Sequence, residues 1–399
     1  MRNTLRQSLR GSRADFWRLW YVGLVLAIVR WLEMVVVGVV VYEQTGSAFA
    51  VAAITMLRLL PMGLFGALLG ALVERVDRRV ALATIVAVMA GVSATLCLVA
   101  SLGQLQVWHL AVLSFVNGCG WATDNPVRRV LMGEAVGRER MGWAMSLDVG
   151  ASNVSRAVGP VAGGFLLAGV GIEGAFLLSV LLYVSALAAT VTTRTRIASA
   201  GGAHAVLARL REGFALVMHD RRLAGALLVT VIFNLFGWPF TSMIPVIGRD
   251  VLALGPEGVG ALASFEGLGA LAAAVPMALW LRPTWYVAGY VGGVAVYLLA
   301  VIAFALAPGF PVAAAALLLT GVSGASFAAL QATIVYLAAP PDMRSRILGV
   351  LSVCIGTGPI GFIWLGWLAD RVGASAATAL TGTLGLLALV MARPLWRTI

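Results

Sequence analysis

The chain has 399 residues, of which 61% are hydrophobic and 11% charged, with a formal net charge of +11. A soluble domain is nearer half apolar and a quarter charged, so one aqueous core cannot hide this much apolar surface. All 28 basic residues are arginine, which excludes P-loop lysine chemistry, Schiff-base chemistry and a lysine general base.

At roughly 20 residues per crossing, this composition allows on the order of twelve spanning helices. In chain order the apolar runs are 18–42, 49–72, 80–101, 107–127, 143–169 and 173–193, then 223–247, 258–281, 285–306, 312–337, 347–369 and 374–392, here spans 1 to 12. Span 1 follows a basic segment without a small-residue cleavage pattern, so it reads as an uncleaved helix. It carries Arg30 and Glu33 near its middle, and span 2 carries Arg58 at similar depth. Span 4 ends on Asp124-Asn125-Pro126, and span 5 holds Asp148, Ser155, Arg156, Gly159-Pro160 and Gly163-Gly164. The longest polar stretch, 194–222, contains a short amphipathic segment near 206–218 and is expected to be a cytoplasmic linker. It divides the chain into six-span bundles at 1–193 and 223–399.

Arginine placement predicts the topology. With the N-terminus cytoplasmic, 23 arginines fall on the inside, including Arg128 and Arg129 in the turn after span 4. Only Arg249 and Arg371 fall outside, and Arg30, Arg58 and Arg156 lie within spans. Both termini are therefore expected on the cytoplasmic side of the inner membrane, and the positive charge needs no nucleic-acid partner. Cys97, Cys119 and Cys354 lie inside spans, and His109, His204 and His219 share no metal-ligand spacing, so no disulfide, metal or cofactor is expected.

The halves repeat. Gly150 and Gly159-Pro160 in span 5 match Gly349 and Gly358-Pro359 in span 11 at a constant offset of 199, and Gly118 in span 4 matches Gly321 in span 10. Parallel six-span repeats are a transporter signature, because two similar bundles can rock about a site between them.

Two motifs carry a family resemblance. The turn after span 2 reads Gly70-Ala71-Leu72-Val73-Glu74-Arg75-Val76-Asp77-Arg78-Arg79. It resembles the loop motif of the major facilitator superfamily, with Glu74 in place of the usual Asp and Asp77 in place of the usual Gly. Span 5, with Ser155, Gly159-Pro160 and Gly163-Gly164, resembles that family's antiporter motif, with Ser146 and Ser155 replacing two upstream glycines. Small residues at those positions also serve plain helix packing. Gly366-Trp367-Leu368-Ala369-Asp370-Arg371-Val372-Gly373 matches the loop motif better still, yet the span count places it on the outside. The turn between spans 8 and 9 reads only Trp280-Leu281-Arg282-Pro283-Thr284, so a second copy there is degraded or absent. The resemblance, closest to bacterial drug and siderophore efflux members, implies an all-α membrane protein of twelve helices in two pseudo-symmetric bundles. It also implies a monomer that exports a small organic molecule, with spans 1, 4, 7 and 10 lining the cavity.

Ionisable side chains within a bilayer are costly, and so are functional candidates. Glu33 is expected to pair with Arg30, Arg58 or both, either as a proton-sensitive latch or as a static pair that fixes packing. Glu266 in span 8 and Asp148 are the further candidates for proton coupling. Asp124 and Asp148 lie nearer the cytoplasmic ends, within reach of water and loop arginines. Arg30, Arg58, Asn125, Arg156, Asn234, Trp238 and Gln331 are candidate substrate contacts. Three midplane arginines against one midplane glutamate predict a positive excess and hence a preference for amphipathic anions. Proton-coupled uptake, lipid scrambling and binding without turnover are the alternative functions. An enzyme would need clustered catalytic side chains that the sequence does not show.

Overall fold

A computed structural model describes residues 2–64, 76–194, 206–340 and 343–399. The first bundle comprises α1 (Arg2–Thr45), α2 (Ala48–Leu64), α3 (Arg78–Ser101), α4 (Val107–Val136) and α5 (Met141–Thr192). After α6 (Val206–His219) come α7 (Arg221–Ile232), α8 (Met243–Asp250), α9 (Pro256–Trp280), α10 (Tyr286–Ala305) and α11 (Phe310–Ala338). The chain finishes with α12 (Arg344–Ile355), α13 (Gly358–Val372), α14 (Ala374–Met391) and the short α15 (Arg393–Trp396). No strand occurs among the described residues.

Among the described residues, nine helical segments are long and apolar enough to cross a bilayer. The other three of twelve crossings come from α2, from α4, and from α5 counting twice. Gly171 stands at φ 75° inside that 52-residue helix, a left-handed conformation open to glycine at little cost, and breaks it into two arms. Leu98, Phe165 and Val390, each at least 60% exposed, belong to the apolar outer belt that a bilayer covers.

Two spans are not the continuous helices expected. Span 7 runs as α7, a π-helical turn at Phe233–Gly237, a 3₁₀ turn at Trp238–Ser242, and then α8. Pro239 has no N–H to give the preceding turn, so the helix rewinds there. The Leu235 carbonyl faces Gly361 of α13, which has no side chain to obstruct it. Span 11 breaks at Gly356-Thr357, just before Pro359, and Thr357 Oγ1 donates to the Cys354 carbonyl at 2.7 Å. Span 4 continues nine residues past its expected end, so Arg128 and Arg129 lie on α4 rather than in a turn.

Helices in lipid gain little from excluding water from one another, so they depend on close backbone approach at small residues. A Cβ on Gly118 of α4 would overlap the Arg58 carbonyl of α2, and one on Gly321 of α11 would overlap the Glu266 carbonyl of α9. The same device thus recurs at matching places in the two bundles.

The bundles meet where α5 crosses α9 and α2 meets α13. Gly164 faces Gly260 across the first crossing, and Gly366 lies against Phe49 and Ala52 at the second. Polar contacts joining the bundles run from mid-depth to the face carrying residues 45–48, 250–255 and 370–373. Tyr42 donates to Asp250, Glu43 pairs with Arg249 at 2.7 Å, and Ser47 and Phe49 donate to Asp370. Deeper, the Val161 N–H donates to Ser264 Oγ at 3.1 Å and Arg156 pairs with Glu266. Toward the opposite face of α5 the crowding ends: a Cβ on Gly150 would meet nothing within 4 Å.

Candidate functional site

Among the described residues the most enclosed charge is Glu33, on α1, with no exposed surface. Its Oε1 accepts from Ser93 Oγ of α3 and its Oε2 from Asn117 Nδ2 of α4, both at 2.8 Å. Arg58 Nη2 of α2 lies 3.8 Å from Oε2, a charge contact longer than a hydrogen bond. Arg58 Nη1 instead donates to the Arg30 carbonyl at 3.0 Å. Tyr183 completes the cage by donating to Asn117 Oδ1 at 3.4 Å. Four helices of the first bundle therefore converge on one carboxylate.

Arg30, one helical turn from Glu33, turns away from it. Its Nη2 donates to Asp124 Oδ2 at 3.0 Å, and its guanidinium lies over the Trp121 ring at 4.7 Å. Asp124 is accordingly buried, with 2% exposure, rather than within reach of water as its place in the sequence suggests. Arg58 Nη2, Arg58 Nε, Arg30 Nε and Asp124 Oδ1 make no hydrogen bond among the described residues. Buried polar groups usually find partners, so this incompletely satisfied cluster is one that a proton or a ligand can rearrange.

Further along α4, Arg128 Nη1 pairs with Asp148 Oδ1 of α5 at 2.5 Å, and Arg129 Nε pairs with Asp148 Oδ2 at 2.9 Å. Arg128 also donates to Asn125 Oδ1 at 3.1 Å and fills the space over Gly23 of α1, where a side chain would collide with it. Arg128 is buried, so one arginine assigned to the cytoplasmic turn by sequence belongs to the bundle interior.

The third midplane arginine bridges the bundles. Arg156 Nη2 of α5 meets Glu266 Oε1 of α9 at 2.7 Å and stacks over Trp31 at 5.0 Å. Both border an inter-bundle pocket lined by Trp31, Met34, Val35, Thr55, Ile244 and Val259 among others. Each midplane arginine is thus matched one to one: Arg58 by Glu33, Arg30 by Asp124, Arg156 by Glu266. The expected positive excess does not exist, because Asp124 and Glu266 sit deep enough to neutralise it.

Asn234 and Gln331 gather in the second bundle rather than beside Glu33. Asn234 Nδ2 donates to the Thr230 carbonyl at 2.8 Å and Gln331 Nε2 to Thr230 Oγ1 at 3.1 Å; Tyr290 also bonds that hydroxyl at 2.8 Å. Trp238, on the rewound segment, packs edge-on to Phe362 with centroids 5.9 Å apart.

Of the loop motif, Gly70, Glu74 and Arg75 lie outside the described residues. Asp77 caps α3, its Oδ1 accepting from the Arg79 and Val80 N–H groups at 2.8 and 3.4 Å. A residue out of place for the resemblance thus has a local function. Arg78 is the first residue of α3, and the Arg79 side chain donates to the Val191 carbonyl at the end of α5. In the span 5 motif, Gly159 and Gly163 face the α1 backbone, while Gly164 and the Pro160 carbonyl face Gly260 of α9.

Ser93, Asn117, Trp31, Trp121 and Tyr183 were not legible as site residues. Asn117 is seven positions before Asp124 and shares its helix face, a spacing that could have nominated it. Ser93 carries no such signal.

The profile of the transmembrane secretion effector family matches residues 11–397. Macrolide efflux protein A of Streptococcus pyogenes is 22% identical over 354 residues, covering 86% of each chain. Multidrug efflux pump Tap of Mycolicibacterium fortuitum is 27% identical over 371 residues, covering 84% of each. Among solved structures, the nucleoside transporter NupG superposes with a TM-score of 0.77 at 11% identity, over 96% of this chain and 99% of that one. A bacterial homologue of the lysosomal transporter Spinster superposes with a TM-score of 0.68 at 15% identity, over 96% of each chain. With its matched profile, efflux relatives and shared fold, this chain belongs to the transmembrane secretion effector family of major facilitator transporters.

Proposed function

We propose that this protein exports small amphipathic organic molecules from the cytoplasm, driven by proton entry, through alternating access of two bundles. The moving bodies are residues 1–193 and 223–399, joined by the linker 194–222, in a single chain of the inner membrane with both termini cytoplasmic. On that orientation the face joined by Tyr42, Glu43, Ser47 and Asp370 is the outer one, closed, with the cytoplasmic side parted. The names of the efflux relatives support export, and support macrolide-like compounds as a first substrate set. Paired midplane charges give no reason to favour anions.

The observation that carries proton coupling is Glu33: a carboxylate without exposed surface, held by Ser93 and Asn117, with Arg58 at 3.8 Å. Protonating it discharges the pair and leaves Arg58 to seek another acceptor, which changes the preferred packing of α1 on α2. Glu266 and Asp148 are each held by direct salt bridges and serve the reading as secondary carriers. Lacking lysine, the chain leaves proton exchange in the bilayer to carboxylates, since arginine stays charged.

The test uses proteoliposomes with an imposed proton gradient and a panel of macrolides and lipophilic dyes. Glu33→Gln is expected to lose gradient-driven accumulation while retaining exchange of substrate down its own gradient. Accumulation at the wild-type rate by Glu33→Gln would remove Glu33 from coupling. Accumulation that follows the proton gradient in the same direction would replace export by uptake.

A further inference from the structure

The segment Gly366 to Gly373 resembles the family's loop motif but stands at the closed face, where the function proposed above names Asp370 only as one of the contacts that mark that face. Its geometry is specific. Gly366 of α13 lets that helix lie against α2: a Cβ there would come within 2.6 Å of Ala52 Cβ and 3.0 Å of Phe49 Cα. One turn on, Asp370 reaches across to the start of α2. Its Oδ2 accepts from Ser47 Oγ at 2.8 Å and its Oδ1 accepts from the Phe49 N–H at 3.1 Å. Ser47 Oγ in turn accepts from the Ala50 N–H at 3.0 Å. The first turn of a helix has unpaired N–H groups and a partial positive charge. α2 thus receives part of its N-terminal cap from the other bundle.

Arg371 does not cancel that charge. Its guanidinium lies 3.9 Å from the Trp367 ring centroid and donates to the Trp367 carbonyl of its own helix. Such a cap can exist only while the closed face stays closed, because moving α13 from α2 removes both donors from Asp370 and returns Phe49 N–H to water. The neighbouring contacts, Glu43 with Arg249 and Tyr42 with Asp250, join side chain to side chain. Asp370 alone ties one bundle's side chain to the other's backbone at this face among the hydrogen bonds described above.

We infer that Asp370 is a gating residue: a helix cap supplied in trans that holds the outer gate shut and is released each time the transporter opens outward. This rests on the orientation in the function proposed above. It makes the outside copy of the motif a latch for the closed outer face rather than a relic of the repeat.

The test places single cysteines in full-length protein whose Cys97, Cys119 and Cys354 are replaced by serine. Thr55→Cys reports the inter-bundle pocket, and Gln44→Cys reports the exposed turn at the same face. An impermeant maleimide is added to intact cells. Losing a charged cap shifts the gate equilibrium by about tenfold, so Asp370→Ala should raise labelling at Thr55→Cys by about that factor and leave Gln44→Cys unchanged. Asp370→Asn and Ser47→Ala should give smaller increases, and they carry the test if Asp370→Ala does not reach the membrane. Unchanged labelling at Thr55→Cys in the variants that reach the membrane overturns the latch. No labelling at Gln44→Cys from outside overturns the orientation itself, and with it the functional reading, so the two failures are distinguishable.

Discussion

Replacing Arg58 by methionine leaves Glu33 in the bilayer without its counter-charge. At 3.8 Å and an effective dielectric of about 20, the Coulomb attraction lost is on the order of 4 kcal/mol. Breaking one side of a buried pair costs about 3–5 kcal/mol in comparable cases. Glu33 keeps two hydrogen bonds, from Ser93 and Asn117, so the lower end of that range, about 3 kcal/mol, is expected. Exchanging both residues, as Glu33→Gln with Arg58→Met, removes the uncompensated charge and should recover most of the loss. The assay is a double-mutant cycle in detergent, with the stability of each variant read from thermal unfolding followed by fluorescence-detected size exclusion. A coupling of about 2 kcal/mol or more marks direct interaction. The reasoning fails if Arg58→Met is as stable as the wild type, or if the double variant is no better than the worse single one.

Two further predictions concern packing. Gly164→Leu puts a side chain where the Pro256 carbonyl and Gly260 of α9 already lie, so it should prevent closure of the outer face and abolish transport. Cross-linking a cysteine pair across α5 and α9 would check this, since unimpaired closure contradicts it. Thr230→Val strands Gln331 Nε2, whose acceptor is the Thr230 hydroxyl at 3.1 Å. It should cost about 1–3 kcal/mol of stability, read by the same unfolding assay, with Gln331→Leu added to the variant recovering part of it.

Much of the fold was legible from elementary constraints. Apolar runs of about 20 residues fix where a bilayer can be crossed, and their number, the mid-chain polar stretch and the offset-199 glycines imply two similar bundles. What eluded sequence reasoning was local. Span 7 looks like an ordinary apolar run, and its prolines, Pro239 and Pro245, do not say which of them rewinds it; whether a proline kinks, rewinds or merely bends a helix depends on what its neighbours offer the freed carbonyl. Asp77 looked like a departure from a motif and is a helix cap, a role set by the chain that follows it.

The candidate site divides the same way. Residue types and depth nominated Glu33, Arg30, Arg58, Arg156 and Glu266, because a charge in lipid needs a reason to be there. By itself the sequence determined that this is a multi-pass membrane protein, that its cations are all arginine, and that few carboxylates share the interior with them. Partnership was decided by tertiary structure alone: Arg30 leaves the glutamate one turn away for Asp124 on α4, and Arg156 crosses to the other bundle for Glu266. The physical reason is that pairing depends on distances of a few ångströms between side chains far apart in the chain. Sequence supplies depth along a helix axis, and only helix packing supplies the rotation about it.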